Sequence, residues 1–221
     1  MRVSPTTLNM YFECPRMAYY KIMGFKEIAP YYKESLERGT ITHKIIEEFY
    51  KGDVDGYTLT EIKLRLSQIY HTISSIHSEQ IENSLLNFAK FEVWRKERMY
   101  RFVASEKRVV KEYKGVTIVG VIDLLLKAGD KYVIVDWKTG HNGYVTEDIL
   151  RQLSIYSWMV NADKAYVVFL DWGNWEEVEP FDVTTEIETI INDKEFKRTY
   201  SKCDTCGYQI ICLGDRIVLH I

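Results

Sequence analysis

The sequence predicts an α/β protein with a central mixed sheet flanked by helices, and three observations lead there. Two apolar, β-rich runs, Val116 to Leu126 and Tyr132 to Trp137, flank Ala128-Gly129-Asp130-Lys131, the pattern of a β-hairpin. A fully apolar run, Ala165 to Leu170, follows a helical stretch. Such a strand is buried on both faces and, being reached by a crossover, lies parallel to a neighbour. With 221 residues, 46% of them hydrophobic, the chain can bury one sizeable core or a core with an appended lobe.

The elements follow in order. Ser4 to Phe25 reads as an aromatic helix capped at Thr6 or Thr7, with Pro15 requiring a kink or a new first turn. Ser35 to Lys51 is a second helix closed by Gly52; Gly39, His43 and Glu47 share one face of it at spacings of four. Gly39 lets another backbone or a ligand come close. Thr58 to Ile76 and Ser78 to Arg101 are two further helices, the second with Ile81, Leu85, Phe88, Phe91 or Glu92, and Met99 at helical spacing. Lys107 to Lys114 begins a three-strand meander, turning at Lys114-Gly115. Thr146 caps a helix carrying Gln152 and Tyr156 four apart, with Glu147 and Asp148 suited to its first turn. Trp172 to Asp182 is an acidic hairpin arm, and Thr185 to Lys194 a last helix with a Thr185–Glu188 capping box.

A net charge of −3 provides no global attraction to nucleic acid, so any such field must be local. Eight basic residues fall between Arg95 and Lys114, with Tyr100, Phe102 and Tyr113 interleaved. Arg95, Arg98, Arg101 and Tyr100 therefore read as candidate contacts to a phosphate backbone and stacked bases, against the plainer reading of a solvated helix end. No run approaches the roughly 20 apolar residues that span a bilayer, and the first residues lack the apolar core of a secretory signal. The chain reads as intracellular, hence cytoplasmic. Cys14, Cys203, Cys206 and Cys212 are then metal ligands or free thiols rather than disulfides. Four thiolates can hold a tetrahedral zinc or an iron–sulfur cluster, and spacing alone does not separate these; His220 is a possible substitute ligand.

The hairpin carries the chemistry. With Gly129 and Asp130 as the central turn residues, Ala128 faces Lys131 and the register brings Asp123 opposite Asp136, Cβ atoms roughly 4.5–5.5 Å apart. Lys138 shares the face of Asp136 because side chains alternate. Facing carboxylates repel, and a shared proton or a divalent cation offsets this; two solvated acids on a half-exposed sheet is the alternative. Carboxylates suit Mg²⁺ or Mn²⁺, and an imidazole from His43 shifts preference toward Mn²⁺. A cation there can bind a phosphate oxygen and activate a water, with Lys138 as a steadying charge. Phosphodiester hydrolysis suits these parts best.

Gly120-x-x-Asp123 followed by Asp136-Trp137-Lys138-Thr139-Gly140 resembles the core of the PD-(D/E)XK nuclease superfamily. Gly39-x-x-x-His43 with Glu47, and Gln152-x-x-x-Tyr156, resemble motifs of its RecB-like branch. Tyr11-x-x-Cys14-Pro15-Arg16 with the three late cysteines resembles its iron–sulfur members, above all the CRISPR-associated RecB-like exonucleases and their viral relatives. The resemblance implies a restriction-endonuclease-like core in one nuclease domain over 1–221. Its parts are N-terminal helices (1–57), a helical insertion (58–102), the core (103–183), and a C-terminal helix with a cysteine tail (184–221). It implies His43, Asp123 and Asp136 as Mg²⁺ or Mn²⁺ ligands with the Trp137 carbonyl a fourth, Lys138 as catalytic lysine, and Gln152 and Tyr156 orienting substrate or the active-site strand. It favours a [4Fe–4S] cluster on the four cysteines over zinc, tying the N-terminal helix to the tail. Its substrate would be DNA, single-stranded or with free ends, its partners proteins of CRISPR adaptation or recombination, its origin archaeal or viral. The second acid is Asp136 where many members have Glu, and the residues between Cys206 and Cys212 lack the basic side chains often found there. The competing reading is a non-catalytic DNA-end-binding or adaptor subunit that keeps the nuclease scaffold.

Overall fold

A computed structural model of the chain describes residues 1–28, 33–52, 54–74, 77–200 and 203–218. His220 and the predicted helix end at Ile76 lie outside these. The chain forms two compact units, one from Met1–Lys33, Val110–Gly120 and Asp182–Ile221, the other from Glu34–Val109 and Val121–Phe181.

In the second unit the helices are α3 (Lys33–Phe49), α4 (Leu59–Ile73), α5 (Glu79–Glu97) and α6 (Glu147–Val160). Thr58 starts α4 with a complete capping box to Glu61, Ser78 caps α5, and Thr146 caps α6. Each satisfies amides that have no partner within the helix. Met99 falls beyond α5, exposed and at φ 57°, so it does not join the apolar face predicted for it. The face closes instead on Ile81, Leu85, Phe88 and Phe91.

The strands are β1 (Arg2–Val3), β2 (Arg101–Tyr113), β3 (Val116–Ala128), β4 (Lys131–Lys138), β5 (Ala162–Phe169) and β6 (Asn174–Val178). They form a mixed sheet of order β1-β3-β4-β5-β6, with β2 also pairing β3. The fold is α/β, a mixed central sheet flanked by helices. Antiparallel β3 and β4 pair Ala128 with Lys131 through Leu124 with Val135, the predicted register. Gly129 has φ 61° and Asp130 does not share that sign, the arrangement of a type II′ turn with glycine first. Lys114 and Gly115 both have positive φ, as a type I′ turn requires. Parallel β4 and β5 run from Tyr132–Ala162 to Lys138–Phe169.

Alternation sorts the central strands onto two cores. Val133, Val135, Trp137, Tyr166 and Val168 join α3, α4 and α5, while Ile134, Ala165, Val167 and Phe169 join α6. In β3 the alternation slips: Leu124 and Leu126 enter the first core, but Ile122 and Leu125 both enter the second. The residue at the slip is Asp123, one step past the last paired position.

In the first unit Pro15 does not kink one helix but starts another, separating α1 (Pro5–Glu13) from α2 (Pro15–Ile22), with Cys14 as the junction. The cap of α1 is Ser4, whose side chain accepts from Thr7 N, not Thr6 or Thr7. Helix α7 (Thr184–Asn192) does not use the predicted capping box. Glu188 instead accepts from Tyr113 Oη at 2.7 Å and Lys114 Nζ at 2.6 Å, while Asp182 takes the Thr184 amide. Of the late cysteines, Cys203 lies on a short 3₁₀ turn (Cys203–Thr205), Cys206 directly follows it, and Cys212 lies on α8 (Gln209–Val218).

Candidate active site

The site is built where β3 and β4 leave their ladder beside α3 and α6. Asp123 Oδ2 accepts from the Trp137 amide at 2.8 Å, a backbone partner that fixes the carboxylate against the neighbouring strand. Asp136 is buried. Its Oδ1 accepts from Gln152 Nε2 at 2.9 Å, and its Oδ2 lies 2.7 Å from Lys138 Nζ as an ion contact without hydrogen-bond geometry. Lys138 Nζ also donates to Gln152 Oε1 at 3.0 Å. One amide on α6 thus holds both the acid and the lysine of β4, a bridge that the spacing of two between them permits. Tyr156, one turn on, hydrogen-bonds Gln152 and the Val121 backbone.

From α3, the His43 side chain reaches the same place and hydrogen-bonds the Trp137 backbone. Gly39, one turn earlier, permits the approach: a Cβ there would stand 2.8 Å from Thr139 Oγ1. His43 and Asp123 then gather with a residue to which the sequence reading assigned no role, Glu106 on β2. One ligand atom from each lies within 4.8 Å of the others. Asp136 is not of this group, because its oxygens face Gln152 and Lys138 instead. Glu106 was missed because the strand was read as beginning at Lys107, one residue past it.

Electrostatics follow from crowding. Burial pushes the Asp123 carboxyl well up, and the Asp136 charge adds to this; the Trp137 amide and Lys138 counter it only in part. Burial also lowers the His43 pKa, and Lys138 lowers it further against the pull of Asp136, which leaves a neutral imidazole with a lone pair to share. For Lys138 burial opposes the charge, but Asp136 and Asp123 outweigh it and raise its pKa. A second histidine, His141, is lowered by burial and by Lys138.

The donors fit a divalent cation. They are the carboxylate oxygens of Asp123 and Glu106 and one neutral imidazole, a set for Mg²⁺ or Mn²⁺. A cation bound there supplies charge to a phosphate oxygen and acidity to a water. The protein's own groups hold a cationic lysine beside a carboxylate and keep the imidazole unprotonated.

The predicted DNA contacts divide. Arg95 is fully buried, its guanidinium bound bidentately to Glu92 at 2.9 Å and to Asp55 at 2.9 Å, so it does not meet a ligand as predicted. A charge buried this deeply needs such partners, and the composition of a basic run does not reveal it. Tyr100 is partly buried against Trp94 and Tyr166. Arg98 is exposed and lies over the Trp94 ring, and Arg101 is exposed at the start of β2.

In the first unit the four cysteines line one cavity with Tyr20 and Arg198. The Cys206 thiol is raised by burial and then by Cys14, Cys212 and Cys203, so its sulfur lies within reach of the other three. Each is a free cysteine.

The fold and the β-strand carboxylates beside a lysine define a nuclease architecture. The chain belongs to the PD-(D/E)XK nuclease superfamily, whose family model matches residues 2–213. Membership implies a hydrolase of DNA that works with a divalent metal such as Mg²⁺ or Mn²⁺. Among solved structures, the chain is similar to SSO0001 at 21% identity and TM-score 0.49, over 96% of this chain and 85% of that one. It is also similar to a candidate exonuclease from Eubacterium rectale at 15% identity and TM-score 0.46, over 86% and 77% of the two chains. No helix among the described residues is long and apolar enough to cross a membrane.

Proposed function

We propose that the protein is a Mg²⁺- or Mn²⁺-dependent DNA exonuclease of the RecB-like branch, acting on single strands or on DNA ends. The observation that carries this is the fixed triad Asp136–Lys138–Gln152 beside the Asp123 carboxylate and the His43 imidazole. Lys138 is the catalytic lysine: its Nζ is held by a carboxylate and an amide, aimed and charged, ready to steady an attacking water or the negative charge gathering on phosphorus. Asp123 and His43 offer their free atoms to the cation, with Asp136 and the Trp137 carbonyl close by. Gln152 and Tyr156 set the position of Lys138 and of the strand that bears it.

The four thiols hold a [4Fe–4S] cluster in this reading, with zinc the alternative metal. Support comes from their convergence on one cavity and from the motif that includes Cys14-Pro15-Arg16. The same motif set suggests work alongside protein partners in CRISPR adaptation or recombination.

End-labelled single-stranded DNA incubated with Mn²⁺ tests the activity. Degradation from one end, blocked by EDTA and reduced at least about 10³-fold in Lys138→Ala with the melting curve unchanged, is the expected result. Binding of DNA ends with no cleavage in the wild-type chain would replace the enzyme by an adaptor on the same scaffold.

A further inference from the structure

We infer that Glu106 is a further protein ligand of the divalent cation in this site, joining His43 and Asp123. The inference rests on the metal-dependent reading above and adds a residue to it.

Geometry is the first argument. Ligand atoms of His43, Glu106 and Asp123 fall within 4.8 Å of one another, and His43 Nδ1 stands 4.0 Å from Glu106 Oε1. Donors about 2.1 Å from one octahedral ion sit roughly 3–4.2 Å apart, so the three need close by only about an ångström to share one. Asp136 is differently placed. Its Oδ1 is taken by Gln152 at 2.9 Å and its Oδ2 faces Lys138 at 2.7 Å, so ligation would have to compete with both.

The second argument is how β2 delivers the side chain. Up to Glu106 the more sheltered residues are Phe102 and then the run Ala104, Ser105 and Glu106; beyond it they are the odd-numbered Val109, Lys111 and Tyr113. Such a change of phase is the mark of a β-bulge. Glu106 itself has φ 47°, a conformation uncommon for a residue with a side chain. Regular pairing would not place an extra residue here, and bulges recur beside active sites because they re-aim one side chain.

Surroundings supply the third. The Glu106 carboxylate is half-buried and feels the charges of Glu47 and Asp136. Among the described residues the basic side chain nearest it in an ion-pair geometry is the His43 imidazole, 4.0 Å away, and no lysine or arginine pairs with it. Three acids converging on a neutral imidazole repel one another until a cation joins them.

Titration of MnCl₂ into the full-length, EDTA-treated chain, followed by calorimetry, tests the assignment. Glu106→Gln should weaken Mn²⁺ binding at least tenfold, whereas Lys63→Ala, on the exposed face of α4, should leave it within threefold. Glu106→Asp, which keeps the charge but shortens the reach by one methylene, should fall between. A thermal melt in EDTA that matches wild type establishes that the Gln variant is folded; if it is not, the Asp variant alone decides, with wild-type affinity counting against the inference. Unchanged affinity in Glu106→Gln together with loss in Asp123→Ala overturns the role of Glu106 and leaves the nuclease reading standing. Equal affinity in every variant, Asp123→Ala included, overturns both.

Discussion

The carboxylate site and the thiol site gather charge by opposite means. In the first, Asp136 and Lys138 are two residues apart on β4, Asp123 is tied to the Trp137 amide, and a helix-borne glutamine bridges acid and lysine. Strand pairing alone brings most of these atoms together. In the second, Cys14 sits between two short helices while its three companions lie nearly 200 residues on. That unit is closed by scattered bonds such as Tyr11 Oη to Asp193 at 2.8 Å, Thr199 Oγ1 to the Glu13 carbonyl at 2.9 Å, and the Ile28 amide to the Gly207 carbonyl at 2.9 Å. The first site is built by register; the second depends on whatever holds distant segments together, and a metal centre would serve that end.

The largest expected effect breaks the framework of the unit that carries the carboxylate site. Glu92→Ala strands the buried guanidinium of Arg95, which should cost about 3–5 kcal/mol in urea unfolding. Replacing Glu92 and Arg95 together by Met should recover most of that loss, since a buried ion pair is often matched by apolar residues of similar size. A large residual deficit in the double variant would show that Tyr50 and Asp55, which share the network, matter as much.

Cys14→Ser attacks the other side. If the thiols carry a cluster, the variant loses the visible charge-transfer absorbance and its thermal midpoint falls by more than about 5 °C, given ~2–4 °C per kcal/mol for a chain of this size. Retained colour would mean that Cys14 is not a ligand.

A smaller effect appears on acidification. Some burial opposes ionisation of Asp193, but the amides of Phe196 and Glu195 and the Tyr11 hydroxyl outweigh it and hold its pKa below the ordinary value. A carboxyl depressed by folding stabilises the native state above its unfolded pKa, and that contribution is lost as pH falls through the folded one. Melting curves should therefore separate wild type from Asp193→Asn at neutral pH and converge toward pH 2. A constant gap would assign the bonds to shape and not to charge. The smallest effect is Thr58→Ala, about 1 kcal/mol, from loss of the capping box on α4.

Much of this was legible in the chain. Gly129-Asp130 set a hairpin whose register followed from turn length, and the apolar run after α6 had only one hand available for its crossover. His43, Gln152 and Tyr156 could be read because a helix repeats every four residues, so their faces are predictable. Glu106 could not, because it sits where alternation changes phase, and the apolar pairs Phe102-Val103 and Val109-Val110 on either side show both parities. Arg95 was misplaced because a count of basic residues is blind to burial, and only the buried Glu92 three residues earlier hinted at a partner. The capping box of α7 failed for a tertiary reason: Tyr113 and Lys114 claimed Glu188 first.

The wide separation of Cys14 from its three companions has a consequence for biosynthesis. Translation at about 5–20 residues per second leaves the first thiol waiting roughly ten seconds or more before the others leave the ribosome. Through that interval it is the lone thiol on a nascent chain, open to oxidants and to stray metal ions. Its protection through that interval then rests on how soon α1 and α2 pack around it.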